Sequence, residues 1–355
     1  MVCIAAFIIL ALIGGVVAIV SIFKPKVGKS YWKMFKKAWG CLWKKVRLQK
    51  CETGFKDDVK NTLLSRVIVK HPKWVKPLSI IIEVLSVVIV IIAVWAILTA
   101  IKSLLALWAL GSCNVTKPSA CSLNPEIGCS IDQSEPQNPI EGIGRWFTEW
   151  GDIFEAIPDK FKTYNAEDYG FSYVVANNDV TDKPVAVDIL DPGCRVCMTS
   201  YRNQKASGFF DNYVVRIVPF AIQNPDDSYK FKNSAIVVKY IFATEQLYSG
   251  RGVKLLDHIF MDKKDMGDGI GELSYQDVFN DYYSNEEAVK QLETWLHDDG
   301  LHSVDIAEIR KVVEYPEIQD KMNENRNIVE NELHANGIPT MIYDGGRHTG
   351  LYKAE

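Results

Sequence analysis

The stretch Val185-Ala186-Val187-Asp188-Ile189-Leu190-Asp191-Pro192-Gly193-Cys194-Arg195-Val196-Cys197 decides how this chain is read. Its first six residues form a short apolar run and read as a buried strand. The residues from Cys194 onward read as the opening of a helix. Two cysteines one helical turn apart can close a small disulfide. A helix N-terminus also favours a thiolate, through its free N–H groups and its dipole. Together these properties make Cys194 and Cys197 a redox-active dithiol in preference to a structural bridge. Far downstream, Gly337-Ile338-Pro339-Thr340 leads into another strand, Met341-Ile342-Tyr343.

The flanking pattern is that of an α/β domain. A strand near 173–176 precedes the central run, and 214–222 follows it as a second buried strand. Between Asn233 and Glu332 the apolar residues take helical spacing, as at Ile236, Val237, Tyr240, Ile241 and Leu247, and again at Ala288, Leu292, Trp295 and Leu296. A strand over 340–343, a turn at Asp344-Gly345-Gly346 and a short closing strand over 349–352 complete the order. Asp-Gly between apolar runs is a strong hairpin signal.

The chemistry follows from position. Cys194, first on its helix, is expected to be the more exposed sulfur and the nucleophile. A free thiol titrates at about 8.5, and such sites bring it down to roughly 3.5–7.5. Arg195 adds positive charge beside it and is expected to tune the thiol further. Attack on a substrate disulfide gives a mixed disulfide, which Cys197 resolves. A strongly stabilised thiolate makes the oxidised form the better oxidant, so the reading leans towards oxidase over reductase.

The segment from Val187 to Cys197 resembles the active-site segment of the thioredoxin superfamily, and 337–340 resembles that superfamily's cis-proline loop. The two are separated by about 140 residues, much of them helical, which is similar to the DsbA-like branch with its inserted helical domain. The resemblance spans Asp182 to Tyr352. It implies a thioredoxin-like fold with a helical insertion at about 233–332. It implies that Asp188 is a buried proton acceptor for the second cysteine. It also implies that Pro339 is cis and that Ile338, Pro339 and Thr340 bind substrate, the Ile338 backbone being free to pair with an extended strand. Two features depart from the family. Arg195-Val196 is neither of its common dipeptides, and so little follows Gly350-Leu351-Tyr352 that the usual last helix is short or absent.

Two apolar segments precede this domain and are expected to be transmembrane helices: residues 1–23, uncharged throughout, and residues 78–110, interrupted by Glu83 and Lys102. The first has no basic region before it, which favours an uncleaved anchor. Residues 24–77 hold 16 Lys/Arg and 3 Asp/Glu, a net charge of +13, whereas residues 111–355 hold 23 and 40, a net of −17. The positive-inside rule then puts the basic loop in the cytoplasm, with the N-terminus and the C-terminal domain outside. Within the loop Trp32, Phe35, Trp39, Leu42, Trp43 and Val46 recur at helical spacing among lysines, as in an amphipathic helix lying on anionic inner-leaflet lipid. Nucleic acid is not an expected partner, because this charge sits beside membrane anchors. Residues 111–170 read as an extracytoplasmic linker with an amphipathic helix over 144–161.

Of eight cysteines, Cys41 and Cys51 fall on the reducing side. Cys3, Cys113, Cys121 and Cys129 face the oxidising side and have the makings of two structural bridges of unassigned pairing. One CxxC without a second, and without a close His pair, argues against a zinc site. The chain calls for no metal and no cofactor. Its expected activity is that of a membrane-anchored thiol–disulfide oxidoreductase acting on reduced or misoxidised exported proteins, recharged by a membrane redox partner. The rival reading is a redox-inactive thioredoxin-fold module that binds partners in an envelope or secretion assembly. Gly267, Gly269 and Gly271 only faintly resemble a nucleotide loop, and His258, His297 and His302 read as surface or packing residues.

Overall fold

The computed structural model describes residues 32–33, 35–40, 43, 47, 75–118, 129–131, 136–176, 182–267 and 269–353. The first expected span and most of the basic loop lie outside the described residues. The chain divides into two compact units, Met1–Ile101 and Lys102–Glu355.

In the first unit, residues 35–40 are helical. Trp32 packs edge-on against Phe35 with centroids 5.4 Å apart, and Trp39 and Trp43 are about half exposed. Helix α1 runs unbroken over Val75–Leu110. Its Lys76–Leu110 stretch is long and apolar enough to cross a membrane, the one such helix among the described residues. Ile80, Ile91 and Ile97 are largely exposed.

The residues of α1 from Lys102 onward belong to the second unit. Lys102 does not interrupt the helix, because its buried ammonium pairs with Glu149. The other Glu149 oxygen accepts from the Thr116 hydroxyl at 2.9 Å. Glu149 lies on helix α2, Pro139–Ala156, which starts earlier than its apolar spacing suggested. The Asn138 side chain caps it by accepting from the Glu141 N–H, and Pro139 fills a first-turn position that needs no N–H. Ile153 and Ala156 of α2 close a small core with Ala106 and Ala109.

The strands of the second unit are β1 (Cys129–Ser130), β2 (Val174–Val175), β3 (Val185–Leu190), β4 (Val214–Pro219), β5 (Lys263–Asp265), β6 (Glu272–Ser274), β7 (Gly337–Ile338), β8 (Thr340–Tyr343) and β9 (Gly346–Thr349). Five of them form a mixed sheet in the order β2-β4-β3-β8-β9. β3 is parallel to β4 and antiparallel to β8. All of β3 beyond Val185 is buried, which is why its residues run apolar on both faces. Helix α3 (Arg195–Ala206) follows β3, and its Tyr201 is fully buried. This mixed α/β arrangement fits a thioredoxin-like fold.

The insertion holds α4 (Ser234–Leu247), α5 (Gly252–Met261), α6 (Asn285–Asp298), α7 (Ser303–Val313) and α8 (Pro316–Asn327). A full capping box at Ser284 and Glu287 starts α6. Trp295 stacks between His258 and Phe279, with interplanar angles of 12° to each, so His258 is a packing residue. The insertion is not wholly helical. β5 and β6 pair antiparallel, and Gly267, Gly269 and Gly271 all take positive φ in the turn between them. Those glycines shape a hairpin.

The last hairpin closes earlier than the sequence suggested. Asp344 and Gly345 have φ of 49° and 75°, a two-residue turn of the kind that matches strand twist. Tyr343 therefore pairs directly with Gly346, and the closing strand occupies 346–349, not 349–352. Residues 350–353 carry no helix. Instead the Tyr352 carbonyl accepts from Asn203 at 3.0 Å, and the Tyr352 ring lies 5.1 Å from Phe209.

Candidate active site

The site lies where β3 gives way to α3. Asp191 turns the chain by accepting the Gly193 N–H on its side chain at 2.7 Å and the Cys194 N–H on its backbone carbonyl at 3.0 Å. Cys194 is the N-cap of α3. The insertion reaches back to hold this turn. The Gln276 amide donates to the carbonyls of Pro192 and Cys194 at 2.8 and 2.9 Å, and the Asn280 amide donates to the Gly193 carbonyl at 2.8 Å. Three successive carbonyls are thus fixed by two side chains more than eighty residues away.

Gly193 is required by space. A Cβ there would stand 2.4 Å from the Phe231 Cβ. Gly193→Ala is expected to destabilise the unit by about 1–3 kcal/mol through overpacking. Phe231→Gly in the same chain removes that Cβ and the ring beyond it, and should recover most of the space-dependent part. Urea denaturation of the two single variants and the double variant measures this, and simple additivity would refute it.

Cys194 is not the exposed sulfur expected. It is fully buried and disulfide-bonded to Cys129, with Cα atoms 6.0 Å apart. Cys129 is therefore not a partner of Cys3, Cys113 or Cys121. The reason is a short added strand: β1 pairs antiparallel with β7, Cys129 opposite Ile338 and Ser130 opposite Gly337. The Ile131 N–H continues the contact to the Asn336 carbonyl at 3.1 Å. The Lys230 ammonium fastens Ser130 by donating to its carbonyl at 2.8 Å. The Ile338–Pro339 bond is cis, and the Ile338 carbonyl is 3.7 Å from the Cys194 Sγ. The Ile338 backbone, expected to be free, is already engaged by this chain's own strand. Thr340 is buried, and its hydroxyl donates to the Gly337 carbonyl at 2.7 Å, so it shapes the loop from within.

Cys197, one turn along α3, is the free cysteine among the described residues and is buried. Its Sγ accepts from the Asp191 N–H at 3.4 Å. Burial pushes its thiol well above the usual range, and the charges of Asp191 and Asp188 push the same way. Asp188 is fully buried in β3, where desolvation raises its carboxyl to about 7 against one opposing hydrogen bond from Gln204. Its other oxygen has no hydrogen-bond partner among the described residues. Asp191 was missed as a site residue. It too is fully buried and is raised to about 6 by desolvation, although the Ile222 N–H, the Ser234 hydroxyl and the Gly193 N–H all donate to it. A second acid three residues after the first, just before the cysteine helix, was its one signal in the sequence. The guanidinium of Arg195 is mostly exposed and is paired with Asp277 at 2.7 Å. Its charge is shared with that carboxylate and is not directed at Cys194 alone.

No family model matches this sequence, and no curated protein matches it. Among solved structures it is similar to a thioredoxin-like oxidoreductase from Silicibacter pomeroyi at 16% identity, covering 51% of this chain and 85% of that one, with a TM-score of 0.35. It is similar to the thiol-disulfide exchange protein alpha-DsbA2 from Wolbachia pipientis at 16% identity, covering 51% and 81%, with a TM-score of 0.36. The cytosolic disulfide reductase DsbM from Pseudomonas aeruginosa matches at 16% identity, covering 46% and 87%, with a TM-score of 0.33.

Proposed function

We propose that the second unit is a thiol–disulfide oxidoreductase that forms or rearranges disulfides in exported proteins. The observation that carries this reading is a disulfide-bonded Cys194 at a helix N-terminus with a free thiol, Cys197, one turn behind it. That is the arrangement of a mixed disulfide awaiting resolution. Asp188 supports the reading as a proton acceptor for Cys197: it is dry, raised to about 7, and has one unpartnered oxygen. In the oxidised enzyme a substrate thiolate would attack the Cys194 sulfur of the Cys194–Cys197 disulfide, and Cys197 would leave as a thiolate that takes a proton from Asp188.

The chain is proposed to act on the oxidising side of a membrane, anchored by residues 78–110 and by residues 1–23. A disulfide at the site and the charge contrast between loop and domain both favour that side. The basic loop would rest on anionic inner-leaflet lipid, and a membrane redox partner would restore the oxidised state. Full-length protein in detergent is expected to oxidise a reduced two-cysteine peptide, and Cys194→Ser to lower that rate at least 1000-fold. Activity within tenfold of wild type in Cys194→Ser would sink the reading and leave the redox-inactive binding module in its place.

A further inference from the structure

The strand β1 adds nothing to the five-stranded sheet. It pairs with β7 alone among the described strands, beside the cis Ile338–Pro339 bond, and it delivers a cysteine to Cys194. An extended peptide that gains main-chain hydrogen bonds at a sheet edge, while one side chain reaches the reactive atom, is bound as a substrate is. Residues 129–131 meet that description: two ladder positions, the Ile131–Asn336 hydrogen bond, the Lys230 clamp on Ser130, and the disulfide itself.

We propose that Cys129 is a third redox cysteine and that residues 129–131 are a built-in substrate mimic, which closes the peptide-binding edge until Cys197 releases it. The inference rests on the thiol-exchange reading above. In the release step, Cys197 gives its proton to the Asp188 carboxylate, and its thiolate attacks the Cys194 sulfur. The Cys129–Cys194 bond breaks as the Cys194–Cys197 bond forms. Cys129 departs as a thiolate and takes a proton from solvent. One disulfide is exchanged for another, so no external oxidant or reductant is consumed.

The magnitude of the block follows from tethering. A segment of the same chain competes intramolecularly, at an effective concentration on the order of millimolar. An external peptide at about 10 μM therefore competes at a disadvantage of about 100-fold until the strand leaves.

The test uses full-length protein in detergent without reductant, alkylated and mapped by mass spectrometry. Wild type is expected to contain both Cys129–Cys194 and Cys194–Cys197 links, and Cys197→Ser only the first. Cys129→Ser is expected to oxidise a reduced two-cysteine peptide at least tenfold faster than wild type. Ile131→Pro keeps every cysteine and removes the donor to Asn336. It should raise the rate at least threefold and enrich the Cys194–Cys197 link. Recovery of Cys129 linked to another cysteine in both wild type and Cys197→Ser overturns the inference. So does a rate within twofold of wild type in both Cys129→Ser and Ile131→Pro, an outcome that leaves the exchange activity standing. Absence of peptide oxidation in all four proteins removes the exchange activity and the inference together.

Discussion

Asp191→Ala is expected to destabilise the second unit by roughly 2–5 kcal/mol. The variant leaves three buried donors without an acceptor: the N–H groups of Gly193 and Ile222 and the Ser234 hydroxyl. Each unsatisfied donor costs about 1–3 kcal/mol. Against this, the variant removes a carboxylate whose burial is unfavourable. Its rise to about 6 corresponds to roughly 3 kcal/mol at neutral pH, since one pKa unit is about 1.4 kcal/mol. The donors win because there are three of them, and because two belong to backbone that cannot turn to another partner. For a unit of this size the melting temperature should fall by roughly 5–20 °C. Ser234→Ala, which removes one donor and leaves the carboxylate, should fall less. Calorimetry at pH 7 decides the matter, and a loss under 1 kcal/mol in Asp191→Ala would show that the turn holds its shape without that carboxylate.

Asp188→Asn is expected to slow the resolving step by about 100-fold or more at pH 7, because a positioned base contributes about 10²–10⁴ and Cys197 is held protonated by burial. In wild type the rate should climb through about pH 7 as the Asp188 carboxyl ionises. The asparagine variant should lose that inflection and accumulate the mixed disulfide on Cys194. The same carboxyl makes stability depend on pH. The folded protein keeps this proton to about pH 7, whereas an unfolded aspartate releases it near about 3.9. The native state thus binds the extra proton between those values. Stability is fully present below the lower one and falls by roughly 1.4 kcal/mol per pH unit as pH rises to the upper. Wild type should lose roughly 2–3 kcal/mol from this group between pH 5 and pH 7, and Asp188→Asn should not. Asp191, raised to about 6, retains its own smaller loss of the same sign in both proteins. Denaturation at the two pH values, with peptide exchange kinetics, measures both halves. Parallel pH profiles for wild type and variant would remove Asp188 from the proton path.

Much of the architecture was legible because it is local. β3, α3, β4 and β8 fall where apolar runs, a helix-opening cysteine and an Asp-Gly turn put them. The 3.6-residue period over 233–332 gave the helical insertion its place, although the glycines at 267, 269 and 271 turned a hairpin that periodicity cannot register. The closing strand was misplaced by three residues because a two-residue turn, not the apolar pattern, sets its register. Lys102 read as an interruption of a span because its partner, Glu149, lies forty-seven residues away.

By itself the sequence determined the helix that opens at Cys194, the apolar strand before it and the Ile338-Pro339-Thr340 loop, and its resemblance to a family implied the buried acid and the cis bond. Each of these is a run of neighbouring residues whose chemistry and spacing are fixed by the covalent chain. Only the tertiary structure decided which sulfur Cys194 holds, that Ile338 is already paired, and that Gln276 and Asn280 grip the turn from the insertion. Those contacts join residues from sixty-five to more than two hundred positions apart. Their geometry exists only after the sheet and the insertion have packed, and no local pattern encodes it.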